Sequence, residues 1–197
     1  MLRAYKYRLN PNVKQSVLLC KTLGCVRYFW NRQVETFNTY DKEESVKPIF
    51  KTSTEIRKEM DWMLEVSAAA IQQKEIDFKA FKNQYFSKDR KKQIGRPHFK
   101  KRSDRQSFRL PNQKFRLSEK YIRLEKIGLV KYVQDRALPT DCKLMSVTVS
   151  KESDGKYYAS VLVETQIEKF FWKIECLIEC LLATPQNKRA PTKHHQR

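Results

Sequence analysis

One basic stretch, residues 88–109, constrains this chain more than any other feature of the sequence. It reads KDRKKQIGRPHFKKRSDRQSFR and carries ten Lys or Arg residues against two Asp, a net charge of +8. A packed core cannot hold that charge, so the side chains need either water or a polyanion around them. A solvated loop is the alternative interpretation. Phe99 and Phe108 stand among the charges as candidate stacking groups.

The basic character extends over the whole chain. Its 197 residues include 41 Lys or Arg and 22 Asp or Glu, which gives a net charge of +19 and a pI near 9.8. A phosphate backbone is the partner that best suits such an excess. A membrane-surface protein would instead need a lipid anchor or a basic amphipathic helix, and the start MLRAYKYRLN shows no apolar signal run and no myristoylation pattern. We therefore expect a cytoplasmic, nucleoid-associated protein without membrane contact, of undetermined oligomeric state.

The five cysteines indicate a reducing compartment, because their number is odd and no CxxC pair occurs. Cys176 and Cys180, followed by His194 and His195, form the one spacing that resembles a metal site. Adjacent histidines do not match the three to five intervening residues of a zinc finger. We expect two helix cysteines and a frayed tail there, with no metal ion and no cofactor.

Hydrophobic periodicity divides the chain at the basic stretch. Residues 2–9 alternate as in a half-buried strand, with Tyr5, Tyr7 and Leu9 on one face and Lys6 and Arg8 on the other. A helix after Pro11, with Val13, Val17 and Cys20 on one face, is expected to end at Gly24. The apolar stripe of a second helix then comprises Val26, Phe29, Trp30, Gln33 and Phe37.

The polar residues 39–48 are typical of a loop. Ser53 or Thr54 is a candidate cap for the longest predicted helix, which continues to about Phe86. Its apolar stripe comprises Ile71, Phe78, Phe81 and Tyr85. The polar residues off this stripe form either a solvated face or one directed at DNA, and they are Gln72, Gln73, Lys79 and Lys82.

Beyond the basic stretch the pattern becomes that of short strands. We predict strands at 107–110, 115–117, 121–124 and 129–133, and then a hairpin. In the hairpin Met145, Val147 and Val149 alternate, Asp154-Gly155 makes the turn, and residues 157–163 alternate back. Strands of this kind favour a small barrel. A short helix at 170–182 and a disordered basic end at 185–197 complete the prediction.

Seven motifs now stand in a recognisable order. They are AYKYRLNPN from Ala4, LGCVRYFWN from Leu23, AIQQKEIDFKAFKNQYF from Ala70, GRPHFKKR from Gly95, QSFRLPN from Gln106, IRLEKIGLVKY from Ile122 and VTVSKESDGKYYASVLVE from Val147. This order resembles the TnpB/OrfB proteins of insertion sequences, the family ancestral to type V CRISPR effectors. Together the motifs span most of the chain up to about residue 166.

The resemblance implies an α+β fold. Residues 1–10 and 96–167 would form a small antiparallel wedge-type β-barrel, residues 11–95 an inserted helical recognition domain, and residues 168–197 a divergent tail. It also implies two partners, a guide-like structured RNA and duplex DNA carrying a short adjacent motif, as in RNA-guided nucleases.

The resemblance and the charge pattern together nominate a set of contact residues. Gln72 falls where relatives carry a glutamine that reads the adjacent motif, and Ser53 and Arg109 lie near other contact positions. Ala68 replaces a lysine often used there. The candidate nucleic-acid-binding residues are Lys6, Arg8, Arg27, Asn31, Arg32, Ser53, Gln72, Arg96, Lys100, Lys101, Arg102, Arg105, Gln106 and Arg109.

One departure from the family pattern bears on activity. In relatives the strand ending VLVE is soon followed by Gly-Ile/Val-Asp-x-Gly, which begins a RuvC-like metal site, and later by a zinc ribbon. Here no aspartate follows Asp154, and Glu175 and Glu179 fit a solvated helix face. Cleavage needs clustered carboxylates, so we expect a nucleic-acid-binding fragment without catalytic residues. The alternatives are a subunit of a split nuclease, a regulatory binder and a generic basic RNA-binding protein.

Overall fold

A computed structural model describes residues 1–39, 48–87 and 94–165. Strand β1 (Leu2–Asn10) is followed by helices α1 (Val13–Asn38), α2 (Ser53–Glu59) and α3 (Ala68–Phe86). Six strands then complete the fold: β2 (Gln106–Pro111), β3 (Phe115–Leu117), β4 (Tyr121–Leu124), β5 (Gly128–Val133), β6 (Cys142–Lys151) and β7 (Tyr157–Thr165). The expected α+β class is confirmed. Residues 88–93 of the basic stretch and the predicted tail elements at 170–182 and 185–197 lie outside the described residues.

The strands form one antiparallel sheet in the order β2-β6-β7-β1-β5-β4-β3. The N-terminal strand is central, because Tyr5 pairs with Val161 of β7 and Leu9 pairs with Tyr132 of β5. Inward side chains from both end strands, including Leu110 and Phe115, belong to a single hydrophobic cluster. The sheet is therefore barrel-like, as the short alternating segments predicted. Its wedge-type identity stays a prediction.

The hairpin β6–β7 follows the predicted turn, with one correction. Gly155 adopts φ 78°, a left-handed conformation that glycine takes without a steric penalty. The predicted alternation fails at Met145, which is 36% exposed whereas Val147 and Val149 are buried. A register shift between Leu144 and Ser146 reverses the alternation at this point, so that Leu144 packs against the core instead.

Helix α1 corrects the expectation of two helices separated at Gly24. Asn12 caps it in a reciprocal capping box with Gln15, and 26 helical residues run through the glycine without a break. A glycine inside a helix costs about 1 kcal/mol relative to alanine, and burial of the stripe on both sides outweighs that cost. The predicted apolar face of Val13, Val17 and Cys20 is also wrong, because Val13 is 82% exposed. The buried face of this half contains Leu19, Thr22, Leu23, Cys25 and Val26.

The predicted long helix from residue 53 is likewise divided. Thr52, rather than Ser53 or Thr54, caps α2 through a capping box with Glu55. The helix ends at Glu59, a short 3-10 helix covers Asp61–Glu65, and α3 begins only after Ser67. With the chain broken in this way, the side chains of Met63 and Val66 lie in the core. Ile56, Met63 and Val66 have a spacing that would also share one stripe of a continuous helix, so the sequence pattern did not reveal the break, and tertiary packing prevails over local helix propensity.

The helices pack on the sheet through a shared core. Leu19, Phe29 and Ile71 of the helices join the inward-facing strand residues in one cluster. A second, aromatic cluster centres on Phe37 and Phe78 between α1 and α3. The division into domains at 1–10 plus 96–167 and 11–95 stays a prediction. Among the described residues, no helix is long and apolar enough to cross a membrane.

Candidate nucleic-acid interface

Side chains of helix α1 hydrogen-bond the backbone of residues 94–109, the described part of the basic stretch. The Trp30 indole Nε1 donates to the carbonyl of His98 at 3.1 Å. The Asn31 side chain makes two bonds to Lys100: its Nδ2 donates to the carbonyl at 3.1 Å, and its Oδ1 accepts from the amide at 2.8 Å. The predicted contact residue Asn31 therefore positions the basic segment, and its amide group is already engaged.

Two lysines share the ring of Trp30. The ammonium of Lys100 lies 4.7 Å from the ring centroid and that of Lys74 lies 5.9 Å from it. Burial, and then the neighbouring charge of Lys74, lower the pKa of Lys100 below its usual value. Asp77 offsets the charge of this pair in part, through a 3.0 Å ion pair with Lys74, and the charges of Asp77 and Asp104 both act to raise the pKa of Lys100. A phosphate beside Lys100 would relieve the repulsion between the two cations.

The turn after Lys100 presents charge to solvent. The Lys101 amide donates to Asp104 Oδ2 at 2.8 Å, and Gln106 Nε2 donates to the Arg102 carbonyl at 2.5 Å. These internal bonds fix the backbone. The side chains of Lys101, Arg102 and Arg105 remain exposed, as does Arg96 earlier in the segment. The structure thus gives this part of the basic stretch a defined shape.

A basic groove of about 400 Å³ lies between α1, residues 102–106 and the β6–β7 turn. Arg27 of α1 lines this groove, and its Nη1 donates to Gln106 Oε1 at 3.0 Å. The groove is lined by Cys20, Leu23, Arg27, Arg102, Ser103, Asp104, Arg105, Gln106, Lys151, Glu152, Ser153 and Gly155. Four of the predicted contact residues, Arg27, Arg102, Arg105 and Gln106, are therefore neighbours in space.

Glu152 connects the groove to strand β1. Its Oε1 lies 3.1 Å from Lys6 Nζ and 3.4 Å from Arg105 Nη2. Lys6 also lies over the ring of Tyr158, with its ammonium 4.4 Å from the centroid. Arg8 follows on the same exposed face of β1, where hydrogen bonds with Lys156, and more weakly the charge of Arg8, lower the pKa of Asp154.

The remaining predicted contact residues lie on four different elements, β2, α3, α1 and α2. Arg109 Nε donates to Gln73 Oε1 at 3.1 Å, and its Nη2 donates to Asp77 Oδ1 at 2.5 Å. Gln72 is exposed beside Gln73. Arg32 pairs with Glu35 at 2.7 Å. Ser53 is 2% exposed and its amide donates to Glu75 Oε2, so it supports the junction of α2 with α3 from within.

Among the groove residues that sequence reasoning did not nominate are Cys20, Lys151 and Glu152. Lys151 ends β6 and lies 3.8 Å from the thiol of Cys20, which in turn lies 3.0 Å from the hydroxyl of Tyr157. Glu152 follows directly in the hairpin turn. Pairing the predicted hairpin with β1 would have brought Lys151 and Glu152 toward Lys6, but no local pattern connects Cys20 with them.

Comparison with known proteins agrees with the motif order. A family model of OrfB/IS605 type, described as a helix-turn-helix domain, matches residues 1–43. Within the described part of that match, residues 1–39, the structure forms β1 and the continuous helix α1. The match therefore indicates relationship, whereas the docking geometry of a helix-turn-helix has no counterpart in these residues.

Two curated relatives extend the match along the chain. The putative RNA-guided DNA endonuclease InsQ of Escherichia coli K12 is 29% identical over 179 residues, covering 84% of this chain and 41% of the relative. A putative RNA-guided DNA endonuclease of Streptomyces pristinaespiralis is 29% identical over 173 residues, covering 84% and 42%. The chain spans about two-fifths of the length of these relatives. Together with the seven ordered motifs, these matches show that the chain is similar to the TnpB/OrfB proteins of insertion sequences.

Proposed function

We propose that this chain binds nucleic acid as part of a TnpB/OrfB-type RNA-guided system, with a guide-like structured RNA and duplex DNA as its partners. The observation that carries the proposal is the basic groove, in which Arg27, Arg102, Arg105 and Lys151 converge from three separate segments of the chain. Cations fixed on different elements match a phosphate backbone better than a mobile tail does, because less conformational freedom is lost on binding.

In this proposal the two structural layers have different tasks. The barrel of residues 1–10 and 96–167 has the wedge role, and the helical residues 11–95 have the recognition role. The groove lies where the two meet, since Arg27 belongs to α1 while Arg105 and Lys151 belong to the segment before β2 and to β6. Location in the cytoplasm, at the nucleoid, stays part of the proposal.

We further propose that this chain binds without cutting. Among residues 1–39, 48–87 and 94–165, no group of three or more His, Cys, Asp or Glu side chains is arranged to hold a metal ion. Three carboxylates near the basic surface are instead engaged by cations: Asp77 by Arg109, Glu152 by Lys6 and Asp154 by Lys156. Two-metal phosphodiester cleavage requires carboxylates directed together at the metals. Incubation of the purified chain with target duplex and Mg²⁺ should leave the DNA intact. Nicking that disappears in a carboxylate variant of the chain would contradict this.

Gln72 is proposed to read the short DNA motif. It is exposed on α3 beside the Gln73–Arg109 contact, which fixes this face of the helix against β2. A glutamine amide can pair with the edge of adenine in the major groove. Gln72→Ala should therefore reduce discrimination among short motifs by about 1–3 kcal/mol while sparing non-specific affinity. An equal loss on every sequence would remove Gln72 from the reading surface.

The binding proposal is tested by changing the groove. The triple variant Arg102→Gln, Arg105→Gln and Lys151→Gln should weaken binding of both a stem-loop RNA and duplex DNA. It should also flatten the slope of log affinity against log salt by roughly two to three units, about 0.9 for each lost phosphate contact. The matched control, Lys58→Gln, Lys120→Gln and Lys143→Gln, removes the same charge from exposed positions outside the groove. Equal effects of the two triple variants would show general charge attraction and contradict a groove site.

A further inference from the structure

A second cavity adjoins the basic groove, and Arg27 lines both. We call it the aromatic pocket; it measures about 410 Å³ and is lined by Lys21, Gly24, Cys25, Arg27, Tyr28, Trp62 and Glu65. Its size lies within the range of about 300–1,000 Å³ found for small-molecule sites. Its lining is mainly apolar, in contrast to the neighbouring groove.

The pocket contains an exposed aromatic platform on a fixed base. Trp62 is 45% exposed, and Tyr28 meets it edge to face with ring centroids 5.2 Å apart. Trp62 belongs to the 3-10 helix Asp61–Glu65, whose next residue, Met63, is fully buried in the core. The backbone at Trp62 is therefore anchored in the core, while the indole, in edge contact with Tyr28, remains partly exposed. Exposed aromatic groups next to cations are the elements on which unpaired bases stack.

From this juxtaposition we infer that the aromatic pocket takes a base of single-stranded RNA whose backbone lies in the basic groove. This inference rests on the proposed function and adds which form of nucleic acid the surface selects. Arg27 stands between the two cavities, so its guanidinium can contact a phosphate while the attached nucleotide turns toward Trp62. A base within a duplex is already stacked and cannot enter without being extruded.

The polar rim of the pocket favours RNA over DNA. Glu65 is neutralised by Lys21, with Oε2 and Nζ 2.5 Å apart, so its carboxylate does not repel a phosphate strongly. It still offers acceptor positions to a ribose 2′-hydroxyl, the group by which proteins distinguish RNA from DNA. The pocket thus combines a stacking surface, an adjacent cation for phosphate and an acceptor for the sugar.

The test compares nucleic acids on one pair of variants. Trp62→Leu should weaken binding of an unstructured RNA of about 12 nucleotides by roughly ten-fold, with an unchanged salt slope, because no phosphate contact is lost. Trp62→Phe should keep most of the affinity, since an aromatic face remains. Leu64→Ala, which changes an exposed apolar residue outside the pocket lining, is the matched control.

Comparing duplex DNA, single-stranded RNA and single-stranded DNA shows which nucleic acid the aromatic pocket binds. Duplex DNA should bind Trp62→Leu as tightly as it binds the parent chain. An equal loss on duplex DNA, or no loss on the RNA, would overturn the stacking site. Equal losses on single-stranded RNA and DNA of one sequence would overturn the assignment to RNA. If the groove proposal fails, the salt slope of the groove variants stays unchanged. If the stacking inference fails, Trp62→Leu keeps its affinity for single-stranded RNA. The two failures are therefore distinguishable.

Discussion

Asn31 and Lys100 are joined by two hydrogen bonds, although 69 positions separate them in the chain. The amide oxygen of Asn31 accepts from the Lys100 N–H at 2.8 Å, and its amide nitrogen donates to the Lys100 carbonyl at 3.1 Å. A side chain that satisfies both backbone groups of one residue acts like a neighbouring strand. It fixes the basic segment on α1 at the point where its charge is highest.

Asn31→Ala should therefore weaken nucleic-acid binding without changing the charge of the chain. We expect a loss of about 1–3 kcal/mol in the free energy of unfolding, the usual cost of leaving such groups unpaired. The expected local change is faster exchange of the Lys100 amide hydrogen, followed by nuclear magnetic resonance. Asn83→Ala, at an exposed position of α3, serves as the control. Unchanged protection of that amide would show that other contacts hold the segment.

Glu152→Gln should strengthen binding of duplex DNA and RNA. The carboxylate now occupies two cations, Lys6 and Arg105, through one oxygen. Exposed ion pairs contribute little to stability, so the fold should be retained while both cations become available to phosphate. We expect several-fold tighter binding at low salt and a salt slope steeper by about one to two units. Glu164→Gln, which removes an exposed charge from β7 outside the groove lining, is the control, and equal behaviour of the two variants would contradict the prediction.

Gly24→Ala should stabilise the protein. Gly24 is an interior residue of α1, and a Cβ placed there would meet no atom within 4 Å because the position faces the aromatic pocket. Alanine restricts the unfolded chain and favours the helix, so the free energy of unfolding should rise by about 0.5–1 kcal/mol. Urea denaturation measures the change. A decrease would show that α1 needs the glycine for a reason other than space.

Alkaline pH should destabilise the fold in part through Cys25. This thiol is 1% exposed, and burial raises its pKa from 9.0 to about 11. The folded protein thus keeps a proton that the unfolded chain has lost, so this contribution is complete below pH 9 and is lost as the pH rises through 11. Between pH 8.5 and pH 10.5, the free energy of unfolding should fall less in Cys25→Ala than in the parent chain. Equal decreases in the free energy of unfolding of the two proteins would show that Cys25 does not contribute to this pH dependence. Tyr7, whose pKa burial raises to about 12, remains in both proteins.

Sequence periodicity was sufficient for most of the sheet. Alternation placed Tyr7 and Leu9 on the inner face of β1, and the glycine of the Asp154-Gly155 turn located the last hairpin. It failed at Met145, because the register shift in β6 depends on the pairing with β7. It also failed at Gly24 and Met60, where local preferences for ending or continuing a helix were outweighed by burial of residues on either side.

The sequence by itself determined the net charge of the chain and its resemblance to the TnpB/OrfB proteins, since both follow from residue types and their order. Only the tertiary structure decided what each charged or polar side chain does. Asn31 hydrogen-bonds the backbone of Lys100, Ser53 is buried, and Arg109 pairs with Asp77 of α3. The physical reason is the distance along the chain over which each property is set. Inward-facing positions repeat every two or about 3.6 residues and can be counted locally, whereas the partner of a polar group is set by segments that meet only after the chain has folded.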